Sequence, residues 1–561
     1  MGWGCLCRAT KSTYSAALGS AHSRVFFEFI TNSRRDHCIA LLSNELRVRQ
    51  AAQAQHPSDS LLMPLMITHN AETESPVGGP PPEVHPPLHL TVLTIGSRGD
   101  VQPYIALAQR LQSHGHRVRI ATHSEFRSWV LEHGVAEFAD IGGDPTELMR
   151  LCVEKGTFSL GFFREGITKF RTWLDSLLLS CWDACQGTDV VIEAPSAMAG
   201  IHVAEALQVP YFRAFTMPWT RTRAYPQAFA VPSHRAGGSF NFMTYVIFEH
   251  LFWSASASQV NHWRKATLGL HPTTLEQLGT DRVPFLYCFS ALVVPRPLDW
   301  NSWIHPTGYW IPKGPADHGA YVPPASLQRF LEESRAAQRK LVYIGWGSII
   351  VSDAVATTRT VYAAVRRAGV RAVLSKGWSD RRREGEQAAA AEEPQSEDVY
   401  CVESIPHDWL FPQLDAACHH GGSGTTGASL RAGVPTVIKP FFGDQFFWAR
   451  QVEDLGVGLN VPELAEEPLA NALQRAATDK EMHEKARRLG ESLRNEDGVG
   501  KAVRALFSDL PYARSLIKSS TRLDPKRRDA EEALLDERLT EMLAQSGALS
   551  EPGSEPAAPA A

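Results

Sequence analysis

The chain has no uninterrupted apolar run of about 18 residues, so it offers nothing that would span a bilayer as a helix, and its N-terminus lacks the compact apolar core of a secretory signal. A large excess of one charge is also missing. With 56 Lys and Arg against 61 Asp and Glu, the formal charge of −5 disfavours a basic nucleic-acid binder. Cysteine is sparse: nine residues, with only Cys5/Cys7 and Cys181/Cys185 closely spaced, give neither a disulfide framework nor a paired zinc-ligand array. Most are expected to be reduced thiols, and the default expectation is a cytoplasmic location. What remains is a globular chain of 561 residues, 43% hydrophobic and 21% charged, long enough for two large domains with tails.

Residues 1–87 carry no sustained periodicity and end in Pro80 to Pro82, Pro86 and Pro87, so they read as an extension of uncertain structure. Regular α/β alternation then begins. Leu88 to Gly96 reads as a buried strand, Gln102 to Ser113 as a helix and Arg117 to Thr122 as the next strand, which is the start of a βαβ unit. The rhythm continues through Asp189 to Glu193, a helix near Met198 to Leu207, and Pro210 to Phe215, predicting a parallel sheet flanked by helices over residues 88–315. A Pro-rich passage from Pro306 to Pro324 interrupts it. A second α/β unit, 316–515, restarts at Lys340 to Ser348 and continues with helix Ala354 to Ala368 and strands Arg371 to Ser375, Val399 to Val402 and Ala416 to His419. Residues 379–399 read as a solvated charged insertion, and 516–561 as a charged helix leading into a disordered tail.

The first strand empties into Gly96-Ser97-Arg98-Gly99-Asp100-Val101-Gln102-Pro103, at the sheet edge that ligands favour. A G-x-G-x-x-G fingerprint would need glycine at Arg98 and Val101, so a nicotinamide or flavin site is excluded. The loop still groups a hydroxyl, a guanidinium and a carboxylate; Asp100 is either a helix cap or a reacting group. The densest signal is Asp415 to Gln445. There a strand ends at His419-His420, Gly421, Gly422 and Gly424 let backbone amides approach a ligand, and Thr425-Thr426 open a helix, which together make an anion site suited to a diphosphate. Gly443-Asp444-Gln445 follows, where carboxylate and amide side by side suit adjacent sugar hydroxyls, or simply cap a helix.

Three segments, GSRGDVQP, MPWTRTRAYP (Met217 to Pro226) and HHGGSGTTGASLRAGVPTVIKPFFGDQFFWA, resemble the sterol 3-β-glucosyltransferases of fungi and plants, over about residues 88 to 515. The resemblance implies an α/β GT-B architecture, two Rossmann-like domains facing across a cleft, and an inverting transfer of glucose from UDP-glucose to the 3β-hydroxyl of a sterol. It makes His420, Ser423, Gly424 and Thr425 diphosphate contacts, brings Ser348 to the same phosphates, and gives Asp444 and Gln445 the glucose hydroxyls. Ser97 and Arg98 are expected on the donor side as well. Ser404, Ile405 and His407 fall on the family's uracil-binding stretch, with two departures from the plant secondary-product enzymes: Ser404 stands for their stacking Trp and Ala428 for their ribose-binding Glu.

The same resemblance casts Asp100 as the base that takes the acceptor proton, with His123 at the end of the second strand as an alternative. Asp-x-Asp occurs nowhere, so no metal is expected, and no cofactor beyond the donor substrate. Aromatics crowd Ser239 to Trp263, and with Met217, Trp219 and Tyr225 they make a large, flat, apolar acceptor the expected partner; Phe248 and Phe252 are the candidate contacts from that stretch. Transient contact with a membrane surface is expected, although the lipid-binding regulatory domains of fungal relatives are not recognisable in residues 1–87. Other apolar aglycones (a polyketide, peptide or glycolipid) and an idle lipid-binding scaffold are the competing readings. Intact Asp100, His420, Asp444 and Gln445 speak against the last.

Overall fold

The computed structural model describes residues 85–143, 160–314, 321–347, 349, 353–375 and 396–517. Ser348, most of the 379–399 insertion, nearly all of the N-terminal extension and the tail beyond 517 lie outside these residues.

Among the described residues the first domain holds seven strands, all parallel: β1 His89–Leu93, β2 Arg117–Thr122, β3 Glu137–Asp140, β4 Val190–Glu193, β5 Tyr211–Phe215, β6 Phe285–Tyr287 and β7 Ile304–Pro306. Their order is β3-β2-β1-β4-β5-β6-β7. Strand order reverses between β1 and β4, and the loops after those strands therefore diverge to leave a crevice at the carboxyl edge. The second sheet repeats this plan with β8 Leu341–Gly345, β9 Arg371–Ser375, β10 Val399–Val402, β11 Ala416–His419, β12 Thr436–Ile438 and β13 Gly458–Asn460, ordered β10-β9-β8-β11-β12-β13. Two parallel, helix-flanked sheets of this kind make the expected GT-B architecture.

The helices that matter for the site are α1 Arg98–Ser113, α2 Leu160–Ala184, α3 Gly200–Leu207, α4 Gly238–Ala266, α5 Ser423–Ala432, α6 Gln445–Asp454 and α7 Gly498–Ser515. Helix α1 starts four residues before the expected Gln102. Asp100 sits in its first turn and reaches back to the Ser97 amide, which organises the turn early and leaves Pro103 inside the helix. The proline removes only the N–H that would bond the Gly99 carbonyl, a loss a helix start tolerates. Helix α7 returns from the second sheet to the first, packing on α1, β5 and β6. Its crossing point needs two glycines, since a Cβ on Gly498 would lie 2.6 Å from the Tyr309 carbonyl oxygen and one on Gly308 would lie 3.0 Å from the Gly498 Cα.

One apolar cluster runs from Leu90, Ile105 and Phe212 of the first domain through Trp310 into Leu430, Ile438, Phe447 and Trp448 of the second. The two domains thus share one buried core. Polar links add register: Arg110 to Asp497 at 2.8 Å, Arg235 to Asp454 at 2.5 Å, and Arg450 donating to the Pro232 carbonyl at 2.8 Å. No described helix is long and apolar enough to cross a membrane.

Candidate active site

The loop after β1 is shaped around one carboxylate. Gly96 has φ +121°, and a Cβ there would fall 2.5 Å from Asp100 Oδ2, so only glycine leaves room for the side chain. Asp100 Oδ2 accepts from the Ser97 amide at 2.8 Å and the Ser97 hydroxyl at 2.9 Å. Its second oxygen has no hydrogen-bond partner among the described residues. Burial raises the Asp100 carboxyl above its ordinary value, and the two Ser97 donors pull it back. The result is a positioned carboxyl with one oxygen held by Ser97 and one without a partner. Arg98 turns away, its guanidinium 4.4 Å above the Trp129 ring, and His123 is buried where β2 ends.

The glycine loop after β11 separates two histidines that look equivalent in sequence. His419 is fully buried: its Nδ1 accepts the Gly421 amide at 3.1 Å, so the proton sits on Nε2, which donates to Ser429 Oγ at 3.1 Å. That hydroxyl donates onward to the Thr426 carbonyl and accepts from Thr436. His419 therefore shapes the loop, while the buried Nδ1 of His420 has no hydrogen-bond partner among the described residues. The imidazole of His420 fits because positions 347 and 422 are glycines; a Cβ on Gly422 would meet Nε2 at 2.6 Å. Burial, assisted by His407, lowers its pKa to about 4, so it is neutral at pH 7, a hydrogen-bonding group instead of the standing cation that the sequence also allowed.

Helix α5 begins at Ser423, and its first amides have no partner within the helix, as at any helix start. Gly424 is exposed, with open space where a side chain would be. Thr425 is part-buried beside it. Ser423 is different: its hydroxyl crosses the cleft and donates to the Thr216 carbonyl of the first domain at 2.8 Å, leaving its backbone amide for an anion.

Asp444 precedes α6, and Trp448 Nε1 donates to its Oδ2 at 2.8 Å. Burial raises its carboxyl to about 7, the Trp448 donor opposes this, and the charge of Asp100 adds to it. A charge on the first domain is thus one of the influences on a carboxyl of the second. Gln445 is buried and its Oε1 accepts from the Phe441 and Phe442 amides at 2.7 and 3.1 Å, so its side chain shapes the loop and keeps only N–H groups for a sugar. In the 404–407 stretch, Ser404 is exposed and Ile405 is buried. His407 stacks on Phe411 at 4.4 Å, with its pKa lowered to about 4 by burial.

In the first domain's aromatic wall, Trp219 is met edge-on by Phe215 at 5.2 Å, Phe248 at 5.0 Å and Phe252 at 6.2 Å, and Phe229 stacks on Phe248 at 5.7 Å. The candidates Trp219, Phe248 and Phe252 come together and line one crevice at the carboxyl edge of β4 and β5. Two others do not join it. Met217 is buried in the core shared by the domains, and Tyr225 packs on Trp300 and Phe447 at the domain contact. Sequence reasoning missed Phe215, Glu193 and Arg213 of this wall; an ionisable residue at the end of β4 and another in the middle of β5, both in otherwise apolar strands, were the available signal.

Residues 90–226 match the glycosyltransferase family 28 N-terminal domain, and 385–498 match the erythromycin biosynthesis protein CIII-like C-terminal domain. The chain is 49% identical to a sterol 3-beta-glucosyltransferase of Cryptococcus neoformans var. neoformans over 92% of its own length and 34% of that relative's. Against the protein of the same description from Penicillium rubens the figures are 49%, 89% and 38%. It therefore spans about a third of the length of the curated relatives it matches. Among solved structures, a glycotransferase of kitacinnamycin aligns with TM-score 0.56 and 19% identity, covering 76% of this chain and all of that one. The glycosyltransferase SnogD from Streptomyces nogalater aligns with TM-score 0.51 and 23% identity over 75% of this chain and all of that one. Both likenesses concern the fold.

Proposed function

We propose that this chain, a GT-B protein related over nine-tenths of its length to the fungal sterol 3-beta-glucosyltransferases, moves glucose from UDP-glucose to the 3β-hydroxyl of a sterol with inversion, releasing UDP. The observation that carries this reading is the pairing of two edges: a carboxylate with one open oxygen on the first domain, and on the second a glycine-loop helix start whose Ser423 hydroxyl donates across to the Thr216 carbonyl at 2.8 Å.

In the reaction, the sterol oxygen attacks the anomeric carbon from the face opposite the diphosphate. The new C–O bond forms as the bond from C1 to the phosphate oxygen breaks, and the hydroxyl proton passes to the free oxygen of Asp100. The Ser97 amide and hydroxyl hold the other oxygen, fixing the carboxyl's direction. Charge growing on the departing UDP meets the first amides of α5 and the His420 imidazole. Asp444 accepts from glucose hydroxyls, and the N–H groups of Gln445 donate to them.

The acceptor enters at the aromatic wall of Trp219, Phe248 and Phe252. Helix α4 supports transient docking on a membrane face, because Phe240, Phe242, Met243, Ile247 and Leu251 are only part-buried along one 29-residue helix. A cytoplasmic protein, peripheral on membranes, is the corresponding location. The test is incubation of the purified chain with radiolabelled UDP-glucose and a panel of sterols, steroids and polyketide aglycones. Label in the 3-O-glucoside of a sterol is expected; label confined to polyketides, or to no lipid, overturns the reading.

A further inference from the structure

The crevice beside β4 and β5 is walled by Trp219, Phe248, Phe252 and Met198, yet it also contains a full charge, Arg213. Arg213 on β5 is the cross-strand neighbour of Glu193 at the end of β4. Its Nε donates to the Tyr211 hydroxyl at 3.2 Å, and Tyr211 donates in turn to a Glu193 oxygen. The other Glu193 oxygen accepts the Ala199 and Gly200 amides at 2.8 and 2.5 Å where α3 begins. Gly200 is required there, since a Cβ would lie 2.8 Å from the Glu193 carboxyl carbon. The chain Glu193–Tyr211–Arg213 therefore anchors the guanidinium at one nitrogen and fixes its direction.

A guanidinium has five N–H donors, and only the Nε donor of Arg213 has a hydrogen-bond partner among the described residues. Glu193 and Glu249 keep this guanidinium charged among the aromatic side chains, and its unused Nη fork is available when a ligand supplies an acceptor. Glu249 of α4 also lines the crevice and is itself paired with Arg221. With Glu193 on the other side, the wall carries acidic groups that disfavour an anionic ligand and admit a neutral oxygen.

We propose that Arg213 forms an oxygen-recognition subsite in the acceptor pocket: its Nη groups donate to a hydroxyl or carbonyl oxygen that the steroid carries away from the hydroxyl receiving glucose. The subsite rests on the acceptor reading above. It makes oxygenated sterols better acceptors than sterols whose only oxygen is the one glucosylated.

The test compares cholesterol with its 7-, 20- and 25-hydroxylated forms and a 7-oxo form, using the full chain and saturating UDP-glucose. At least one oxygenated acceptor is expected to exceed cholesterol in kcat/KM by about tenfold, mainly through KM, the equivalent of one well-made hydrogen bond. In Arg213→Met the ratio of oxygenated to plain sterol is expected to collapse to near one. Arg213→Lys, which keeps the charge and loses the planar fork, should retain only part of it. Cholesterol used as well as every oxygenated form by the unaltered protein overturns the subsite and leaves the proposed reaction standing. A preference that survives in Arg213→Met also overturns it. Absence of transfer to any sterol removes both readings, so the two failures are distinct, and an unchanged ratio in Arg213→Lys overturns the subsite if Arg213→Met does not fold.

Discussion

Replacing Asp100 by Asn exchanges a proton acceptor for an amide of nearly the same shape. The Asn oxygen can still accept the Ser97 amide and hydroxyl, now at 2.8 and 2.9 Å on Oδ2. With both bonds retained, the stability change is expected to stay within about 1 kcal/mol. Basicity is lost outright, so turnover should fall by roughly 10²–10⁴. A third effect is specific to this structure. The Asp100 charge is one of the causes holding the Asp444 carboxyl at about 7, so its removal should let Asp444 ionise at lower pH. The assay is therefore threefold: turnover with radiolabelled UDP-glucose, donor affinity by calorimetry from pH 5.5 to 8.5, and melting temperature. Near-normal turnover would refute the base assignment and return it to His123 or to a water-mediated route. A large drop in melting temperature accompanying the lost turnover would make Asp100 a structural cap. A pH midpoint for UDP-glucose binding that does not move would show that the two carboxyls are not coupled.

Asp444→Ala should weaken UDP-glucose more than UDP, and equal losses in calorimetry with the two ligands would contradict its sugar contact. Because the folded Asp444 pKa of about 7 stands above the unfolded 3.8, the folded chain holds that proton longer, and stability is lost as pH rises from about 4 through 7. Asp444→Asn should thus gain on the unaltered protein by up to about 4 kcal/mol above pH 7, at about 1.4 kcal/mol per unit, and by little near pH 4; urea midpoints that differ equally at both pH values would refute the raised carboxyl. His420, neutral before UDP arrives, should cost about 0.5–1.5 kcal/mol of UDP affinity when replaced by Ala. A loss that is large at pH 6 and vanishes at pH 8 would instead mark it as a resident cation. Trp219→Ala removes the ring on which Phe215, Phe248 and Phe252 converge and should raise the sterol KM while leaving UDP affinity intact; a change in UDP affinity alone would detach it from the acceptor wall.

Local pattern was sufficient for much of the second domain. Helix Ala354–Ala368 and strands Arg371–Ser375, Val399–Val402 and Ala416–His419 fall where apolar runs and turn residues put them, because each is a short element whose burial is written into its own residues. The start of α1 was misplaced for an equally local reason: a proline at position 103 suggested a first turn, but the Asp100–Ser97 bonds set the turn earlier. The chemical types at the candidate site, a carboxylate on one loop and glycines with histidines on another, were likewise readable from order and spacing.

What the order of residues could not distribute was the work among similar neighbours. His419 and His420 are adjacent, yet only the burial of one strand end and the hydroxyls of Ser429 and Thr436 tie the first into the loop and leave the second outside that network. Tyr225 and Trp219 share one motif but part company, because Tyr225 meets Phe447 from the other domain. The link between Asp100 and Asp444, 344 positions apart, and the return of α7 to the first sheet exist only once the domains are joined. Sequence determines which groups each edge carries, through short-range periodicity and turn chemistry; their distances, charges and free oxygens are set by long-range burial, which depends on every element packed around them.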